Sequence, residues 1–267
     1  MPIIAAVQMT SSHIVADNLV KAGKFIKQAA DAGAQLVILP EMFAIMGREA
    51  GDKVAAQEPY GRGPIQDFLA AQARQYNIWV IAGTIPISTE NPDKVRLACL
   101  VYDQNGRVTA RYDKIHMFDV DLGSEAHKES ASAEPGTDIV VVDTPAGKVG
   151  LTVCYDIRFP GLFNELYRRG AEIISLPAAF TVPTGEAHWE VLTRARAIEG
   201  FGYLIGACQT GTHSSGRQTY GHSVIVDPWG AVLACLPKAE GILTADIDLG
   251  KVSAARNKIP VLQHQRL

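Results

Sequence analysis

Three residues that together could hydrolyse an amide follow predicted strands or strand-like runs. Glu41 comes just after the apolar run 35–39, Lys114 comes after the alternating segment 108–112, and Cys154 comes directly after the apolar run 149–153. Ligands of open α/β folds bind where the carboxyl ends of strands meet. We therefore expect Glu41, Lys114 and Cys154 to lie close together at one edge of a sheet.

A carboxylate, a lysine and a cysteine are sufficient for acyl transfer. The thiolate of Cys154 can attack a carbonyl carbon if a base or a positive charge lies nearby. Glu41 can accept the thiol proton, deliver it to the leaving amine and later activate water. Lys114 and the backbone N–H of Tyr155 can hold the oxyanion of the tetrahedral intermediate. This chemistry requires no histidine base.

Each of these residues also has a simpler explanation when it is taken alone. A cysteine after a valine-rich run is usually a core residue, Glu41 could be a helix cap or a surface acid, and Lys114 could be solvated. A papain-like Cys–His pair remains an alternative because the sequence contains His116, His188 and His222. The other cysteines, Cys99, Cys208 and Cys235, are expected to be core residues.

The pattern of apolar residues predicts the elements that position these side chains. Residues 3–9 and 35–39 are predicted strands joined by a helix, which implies a right-handed parallel crossover. Segments 95–102 and 108–112 are predicted to form an antiparallel hairpin around the turn at residues 103–106. Further strands are predicted at 139–143, 149–153, 172–176, 203–208, 223–227, 231–236 and 242–247, and helices at 161–169 and 187–199.

Two segments are predicted to be loops, namely residues 42–62, which are rich in glycine and charge, and residues 117–137. Because a long loop inside a compact domain is usually functional, we expect the second one to shape the substrate space. The order of strands and helices predicts an α/β fold. It is compatible with two mixed sheets packed on each other with helices on the outer faces. No linker-like composition interrupts residues 1–267, so one domain is expected.

Composition excludes several classes of function. The net charge is −3 and no basic block occurs, so nucleic acid and anionic membranes have no electrostatic attraction for this chain. The four cysteines have no close pair, which argues against a disulfide framework, a zinc site and a redox Cys-x-x-Cys pair. The N-terminal segment predicts a first strand and not a signal peptide. We expect a cytoplasmic protein without a metal or cofactor.

Three motifs resemble the signatures of the nitrilase (carbon–nitrogen hydrolase) superfamily. They are Leu-Pro-Glu-Met-Phe at 39–43, Tyr-Asp-Lys-Ile-His at 112–116 and Val-Cys-Tyr-Asp-Ile-Arg-Phe-Pro at 153–160. The resemblance implies a four-layer α-β-β-α sandwich and a catalytic triad of Glu41, Lys114 and Cys154. It also implies a second glutamate, Glu129, that positions Lys114 and the substrate. Members frequently form homodimers or dimers of dimers, so a C-terminal extension from about residue 250 is expected at an interface.

Segments 187–199, 220–230 and 259–264 are similar to the Nit branch of that superfamily. This branch contains amidases that release 2-oxoglutarate and cysteinylglycine from deaminated glutathione, and ω-amidases that release ammonia from 2-oxoglutaramate. Segment 218–223 is more similar to the first type. The resemblance implies a substrate site formed by Arg158, Phe180 and Thr184. A structural salt bridge for Arg158 and an ordinary loop for the other two are the alternatives.

Both substrates end in a 2-oxo acid, whose two oxygens suit the forked guanidinium of Arg158. Arg158 therefore does not decide between the two activities. The resemblance of segment 218–223 implies a thiol amidase that acts on deaminated glutathione, with an ω-amidase as the alternative. A nitrilase or an N-carbamoyl hydrolase would use the same triad. A binding module that keeps the fold without catalysis is an alternative from a different class.

Overall fold

Strands and helices contribute about equally to the regular structure of the computed structural model, which describes residues 1–121, 123 and 126–266. In chain order the strands of this part are β1 (Ile3–Gln8), β2 (Leu36–Ile38), β3 (Trp79–Ile81), β4 (Ile85–Ser88), β5 (Val95–Tyr102), β6 (Val108–Asp113), β7 (Asp119–Asp121), β8 (Ala126–Lys128), β9 (Val141–Thr144), β10 (Gly147–Leu151), β11 (Ile173–Ala178), β12 (Tyr203–Cys208), β13 (Thr210–Thr212), β14 (Gln218–Tyr220), β15 (Ser223–Val226), β16 (Val232–Leu236) and β17 (Gly241–Asp246).

Helices separate these strands along the chain. They are α1 (Val15–Asp31), α2 (Ala50–Ala55), α3 (Pro64–Tyr76), α4 (Pro160–Arg168), α5 (Val182–Thr184), α6 (Glu190–Gly200), α7 (Leu249–Lys258) and α8 (Val261–His264). Two 3₁₀ turns, Glu129–Ala131 and Cys154–Arg158, carry residues of the predicted site, and a π-helical turn at Gly185–Trp189 connects α5 to α6. No helix in the described part of the chain is long and apolar enough to cross a membrane.

The two large sheets are both mixed. The first has the order β17-β1-β2-β3-β5-β4, with β6 also paired to β5, and the second has the order β16-β15-β12-β11-β10-β9. Strands β1, β2 and β3 are parallel, as are β10, β11 and β12. The remaining pairings within the two sheets are antiparallel, and they include the predicted hairpin of β5 and β6. Each sheet therefore has a parallel centre and antiparallel edges.

Alternation of side chains along β1 shows how the layers stack. Ile4 and Ala6 belong to the core between the two sheets, where they join residues of β11 and β12. Ala5 and Val7 point the other way, into a second core shared with α1 and α3. Because successive strand residues point to opposite faces, a strand covered on both sides is apolar throughout. With α4 and α6 on the outer face of the second sheet, the layers form the predicted α-β-β-α sandwich.

The strand directions bring the predicted site residues to one edge. Strand β6 is antiparallel to β5, which is antiparallel to β3, so β6 ends at the same edge as the parallel strands β2 and β3. Glu41 and Lys114 follow β2 and β6, while Cys154 follows β10 of the second sheet. The site thus lies where the carboxyl ends of strands from both sheets meet.

Several local predictions were wrong. Helix α2 lies within the segment 42–62 that was predicted to be a loop, because its short amphipathic pattern is hidden among glycines and charges. Strands β7 and β8 pair within the predicted loop 117–137, of which residues 122, 124 and 125 lie outside the described residues. The hairpin of β13 and β14 was not predicted. Cys235 is exposed and is not a core residue, since it lies on the edge strand β16.

Candidate active site

Glu41 is held at the end of β2 by a close approach of backbone segments. Its side chain is 2% exposed, and its carbonyl accepts a hydrogen bond of 2.9 Å from Nε2 of buried Gln209. Gly83 passes so close that a Cβ atom there would lie 2.0 Å from the carbonyl oxygen of Pro40. Gly83 also has a φ of +57°, which glycine adopts without strain. The position of Glu41 therefore depends on a glycine in the neighbouring chain segment.

Lys114 bridges two carboxylates. Its Nζ donates hydrogen bonds of 2.8 Å to Oε1 of Glu41 and 2.8 Å to Oε2 of Glu129, and the side chain is 1% exposed. Burial alone lowers the pKa of Lys114, but the charges of Glu129 and Glu41 outweigh it and hold that pKa well above its usual value. Lys114 is therefore a fixed positive charge inside the protein.

Glu129 lies in the 3₁₀ turn that follows β8. Its Oε2 accepts the bond from Lys114 and a second one of 2.9 Å from the backbone N–H of Phe118. Burial acts to raise the pKa of Glu129, but the charge and hydrogen bond of Lys114 lower it overall. Glu129 is thus an ionised carboxylate. Its Oε2 already accepts two hydrogen bonds, so this oxygen is poorly suited to accept a proton.

Cys154 begins the 3₁₀ turn after β10 with a φ of +49°, an uncommon conformation for a residue with a side chain. Burial, and then the charge of Glu41, raise the pKa of the Cys154 thiol well above its usual value, although Lys114 acts to lower it. The side chain of Glu41 also raises this pKa, and the backbone N–H of Ala179 acts to lower it. Cys154 is therefore a protonated thiol in the resting protein, and Glu41 lines the same cavity.

Asp156 joins the segments that carry Lys114 and Cys154, and sequence reasoning missed it. One carboxylate oxygen accepts from the Tyr112 hydroxyl at 2.6 Å and from the Val153 N–H at 2.8 Å. The other oxygen is 2.7 Å from Nδ1 of His116. Asp156 is fully buried. Its place two residues after the cysteine, in a motif that also contains Arg158, was the available signal.

All eight predicted site residues line one cavity of about 460 Å³. They are Glu41, Lys114, Glu129, Cys154, Tyr155, Arg158, Phe180 and Thr184. A volume of this order is typical of a small-molecule site. The structure brings these residues together, while the role of each remains a prediction. For Tyr155, no described residue accepts a hydrogen bond from the backbone N–H, so that donor is available at the start of the 3₁₀ turn.

Arg158 has no carboxylate partner among the described residues. Its terminal nitrogens are 3.3 Å from Nδ1 of His188, and its guanidinium carbon is 5.5 Å from the centre of the Phe180 ring. The predicted alternative of a salt bridge at Arg158 is therefore not what this part of the structure contains. The hydroxyl of Thr184 is 2.8 Å from that of Thr181, so Thr184 is held within the α5 turn next to Phe180.

Two further cations line the cavity and were not singled out from the sequence. Lys53 lies on α2, and Arg217 lies between β13 and β14. Both belong to elements that the sequence pattern did not predict, so no signal placed them near the site. Burial lowers the pKa of Lys53, with Glu129 opposing this effect.

The three histidines considered for a Cys–His pair are engaged elsewhere. His116 contacts Asp156 and stacks on Phe159 at 3.6 Å, His188 contacts Arg158, and His222 contacts the carbonyl of Tyr220 at 3.0 Å. None of the three has a recorded contact with Cys154 within the described residues, whereas the charge of Glu41 acts on its thiol. Within the described residues, no group of three or more His, Cys, Asp or Glu side chains is arranged to hold a metal ion.

The chain is similar to several known proteins. A family model described as carbon–nitrogen hydrolase matches residues 3–257. The chain is 44% identical to deaminated glutathione amidase of Yersinia enterocolitica over 98% of this chain and 92% of that protein. It is 39% identical to the human protein of that name over 100% of this chain and 83% of that one.

The crystal structure of the Caenorhabditis elegans NitFhit protein has the same fold as this chain, with a TM-score of 0.92 and 38% sequence identity. The match covers 99% of this chain and 65% of that one, so this chain spans about two thirds of the longer protein. The similarity therefore concerns only that part of the NitFhit protein.

Proposed function

Because the chain belongs to the carbon–nitrogen hydrolase family, we propose that it is a thiol amidase that releases 2-oxoglutarate and cysteinylglycine from deaminated glutathione. The observation that carries this proposal is the buried cluster of Cys154, Glu41 and Lys114 in a cavity that also contains the unpaired guanidinium of Arg158. The names of the curated relatives support the substrate.

The first half-reaction forms a thioester on Cys154. Glu41 accepts the thiol proton as the sulfur attacks the amide carbon, because the raised pKa of Cys154 keeps the resting group protonated. The oxyanion is held by Nζ of Lys114 and the backbone N–H of Tyr155. Glu41 then delivers the proton to the nitrogen, the C–N bond breaks, and cysteinylglycine leaves as the amine.

The second half-reaction returns the enzyme to its starting state. Glu41 removes a proton from water, and the resulting hydroxide attacks the thioester carbonyl. The same donors hold the second oxyanion. When the intermediate collapses, the C–S bond breaks, 2-oxoglutarate leaves, and Glu41 returns a proton to the sulfur of Cys154.

The remaining residues position these groups. Glu129 holds Lys114 from the side opposite Glu41, at 2.8 Å. Arg158 binds the 2-oxo acid end of the substrate, and the Phe180 ring and the Thr184 hydroxyl form the wall against which that end lies. The guanidinium of Arg158 has no carboxylate partner among the described residues, and its forked geometry suits a bound carboxylate.

The test measures the hydrolysis of two substrates by the parent protein and the loss of activity in one variant. The purified protein is expected to hydrolyse deaminated glutathione with a higher kcat/KM than 2-oxoglutaramate, measured by the release of 2-oxoglutarate and of the amine. Cys154→Ala is expected to abolish turnover while circular dichroism and the melting temperature show a folded protein. Activity that survives in Cys154→Ala would exclude the thioester mechanism.

The substrate comparison also separates the alternatives. A clear preference for 2-oxoglutaramate would show that the protein is an ω-amidase. Hydrolysis of a nitrile would indicate a nitrilase, and release of carbon dioxide would indicate an N-carbamoyl hydrolase. Saturable binding of these amides without any product would assign the binding module. Of all these outcomes, only a higher kcat/KM for deaminated glutathione agrees with the proposal.

We further propose that residues 1–267 act as one domain and that the protein forms a homodimer or a dimer of dimers. Support comes from an apolar patch, defined here as Ile198, Trp229 and Ile259, which are 41%, 56% and 40% exposed. Trp229 stacks on Phe201, and Nζ of Lys258 at the end of α7 lies 5.4 Å from the Trp229 ring. The start of the C-terminal segment packs on its own sandwich through Val252, and its end borders the patch.

A cytoplasmic location is part of the proposal. All four cysteines are free thiols, and the mechanism requires Cys154 to be reduced. A reducing compartment keeps such thiols in that state. Fractionation of cells that express the protein at its natural level tests this location, and recovery in an oxidising compartment would contradict it.

A further inference from the structure

Lys53 and Arg217 are partly buried charges in the cavity, and neither has a carboxylate partner among the described residues. The side chain of Lys53 makes no hydrogen bond or ion pair with any described residue. Arg217 donates from Nη2 to the carbonyl of Ala179 at 2.9 Å, and its buried Nε has no hydrogen-bond partner in the described part of the chain. Partly buried charges of this kind cost free energy unless a ligand pairs with them.

The two residues belong to one electrostatic group. Burial lowers the pKa of Lys53, Glu129 opposes this effect, and Lys114 and, more weakly, Arg217 add to it. Both of the buried carboxylates that line the cavity, Glu41 and Glu129, form ion pairs with Lys114. Neither carboxylate forms an ion pair with Lys53 or Arg217, although Glu129 acts on Lys53 from a longer distance.

The charge of the cavity matches a ligand with two negative groups. Two carboxylates, Glu41 and Glu129, face four cations, so the net charge of these six groups is +2. The four cations are Lys53, Lys114, Arg158 and Arg217. The exposed rim adds Arg48, Glu49 and Lys128, which leave the cavity positive. An ω-amidase substrate carries only one carboxylate, which Arg158 alone would satisfy.

We infer that Lys53 and Arg217 form a second carboxylate subsite, which binds the C-terminal carboxylate of a dipeptide leaving amine. This inference rests on the proposed function, in which Arg158 binds the carboxylate of the acyl part. Arg158 belongs to the turn after β10 of the second sheet, whereas Lys53 belongs to α2, after β2 of the first sheet. In an extended dipeptide, the terminal carboxylate lies up to about 7 Å beyond the scissile nitrogen.

The subsite explains how one acyl pocket selects the longer amide. A charge-assisted hydrogen bond to a carboxylate is stronger than a neutral one, and a guanidinium adds a forked geometry. Lys53 and Arg217 would therefore favour an amine with a free carboxylate over ammonia or over an amine whose carboxylate is capped. The selection depends on groups that take no part in bond breaking.

The test measures, in the purified protein, the ratio of kcat/KM for two substrates. Two substrates share the 2-oxoglutaryl group, one with cysteinylglycine and one with cysteinylglycinamide, which lacks the terminal charge. The parent is expected to show a ratio of kcat/KM, free acid over amide, of about 10 or more, since removing a charged hydrogen bond costs about 10- to 100-fold. Lys53→Met and Arg217→Gln are each expected to lower this ratio by about tenfold.

Lys24→Met serves as the matched control, because Lys24 is an exposed lysine on α1 outside the cavity. It is expected to keep the parental ratio. Lys53→Arg is expected to retain most of it, since the charge remains. A parental ratio near one, or a ratio unchanged in Lys53→Met, would overturn the subsite.

These failures differ from a failure of the proposed function. If the parent hydrolyses both substrates equally well, the amidase assignment stands and the subsite is wrong. If the parent hydrolyses neither, the proposed function and the subsite both fail. A loss of stability in Arg217→Gln would lower both rates together, and the ratio would still report on the subsite.

Discussion

At the scale of single residues, the site depends on one lysine shared between two carboxylates. With Lys114 at 2.8 Å from each, Glu41 and Glu129 carry the same charge but have different surroundings. Glu129 also accepts from the backbone N–H of Phe118, whereas the charge of Glu41 acts on the thiol of Cys154 and raises its pKa. One carboxylate is therefore suited to positioning and the other to proton transfer, which follows from their hydrogen bonds and not from their residue type.

The role of Glu129 can be tested with an isosteric change. Glu129→Gln removes a buried charge-assisted bond worth about 1.5–3 kcal/mol, so we expect kcat/KM to fall about 10- to 100-fold. The loss should appear mainly in kcat, because Lys114 acts on the oxyanion and not on the bound ground state. Steady-state kinetics on deaminated glutathione measure this split.

Glu134→Gln is the control for that variant. Glu134 follows Glu129 in the same chain segment but pairs with Arg96 at 3.2 Å and does not line the cavity. It should keep the parental kcat. An equal fall of kcat in both variants would show that Glu129 acts only through the stability of this segment.

The ion pair of Lys114 and Glu129 predicts how the stability of the fold changes with pH. The folded protein lowers the pKa of Glu129 below its ordinary value of 4.5, so this group stabilises the fold above that value and ceases to do so as the pH falls through the folded pKa. Unfolding by urea should therefore show a difference between parent and Glu129→Gln that is largest near neutral pH. The difference should shrink below about pH 4. A difference that grows with acidity would contradict the lowered pKa.

At the scale of elements, the site is built from short turns at strand ends that contact one another. Asp156 links the turn of Cys154 to the segment after β6 through Tyr112 and His116. Gln209, after β12, holds the backbone of Glu41 after β2. These buried side chains tie one sheet to the other at the edge that carries the site, so the relative position of the catalytic groups is fixed by both sheets.

Gly83→Ala tests one such contact. The new Cβ would lie 2.0 Å from the carbonyl oxygen of Pro40 at a φ of +57°, so the turn that carries Glu41 must shift. We expect a loss of unfolding free energy of more than about 2 kcal/mol and a fall in kcat, because left-handed conformations alone cost about 1–2 kcal/mol for other residues.

Gly61→Ala is the matched comparison. Gly61 has a φ of +88°, but its added Cβ would meet no atom within 4 Å. It should lose only the conformational part of the stability, with activity retained. If both variants lost the same stability and both kept their activity, contact with Pro40 would not position Glu41.

At the scale of the whole molecule, the surface of the sandwich has two features that do not contribute to its hydrophobic core. One is the cavity, which opens where the two sheets meet at their carboxyl edge. The other is the apolar patch of Ile198, Trp229 and Ile259, at which α6, the turn before β16 and the end of α7 meet. Exposed aromatic and aliphatic side chains that lie next to each other are typical of protein interfaces.

Replacement of the central side chain of this patch tests the proposed oligomer. Trp229→Asp places a charge in the interface, so we expect a shift from dimer or tetramer to monomer in light scattering coupled to size exclusion. Val20→Asp is the control, since Val20 is 63% exposed on α1, outside the patch. A parent that is monomeric at micromolar concentration would contradict the proposed assembly.

The sequence by itself determined which residues form the candidate catalytic cluster and which fold carries them. Glu41, Lys114 and Cys154 follow strands or strand-like runs, and the carboxyl ends of parallel strands share an edge, so their convergence follows from local pattern and topology. Arg158, Phe180 and Thr184 came from resemblance to a family and line the same cavity.

Only the tertiary structure identified Asp156, Lys53 and Arg217. Asp156 contacts residues 40 or more positions away, which no local pattern encodes. Lys53 and Arg217 lie on the short elements α2 and β13–β14, whose composition is that of a loop, and they face one cavity only because two sheets pack together. Secondary structure follows from neighbours along the chain, whereas the charge balance of a cavity depends on side chains brought together from distant segments.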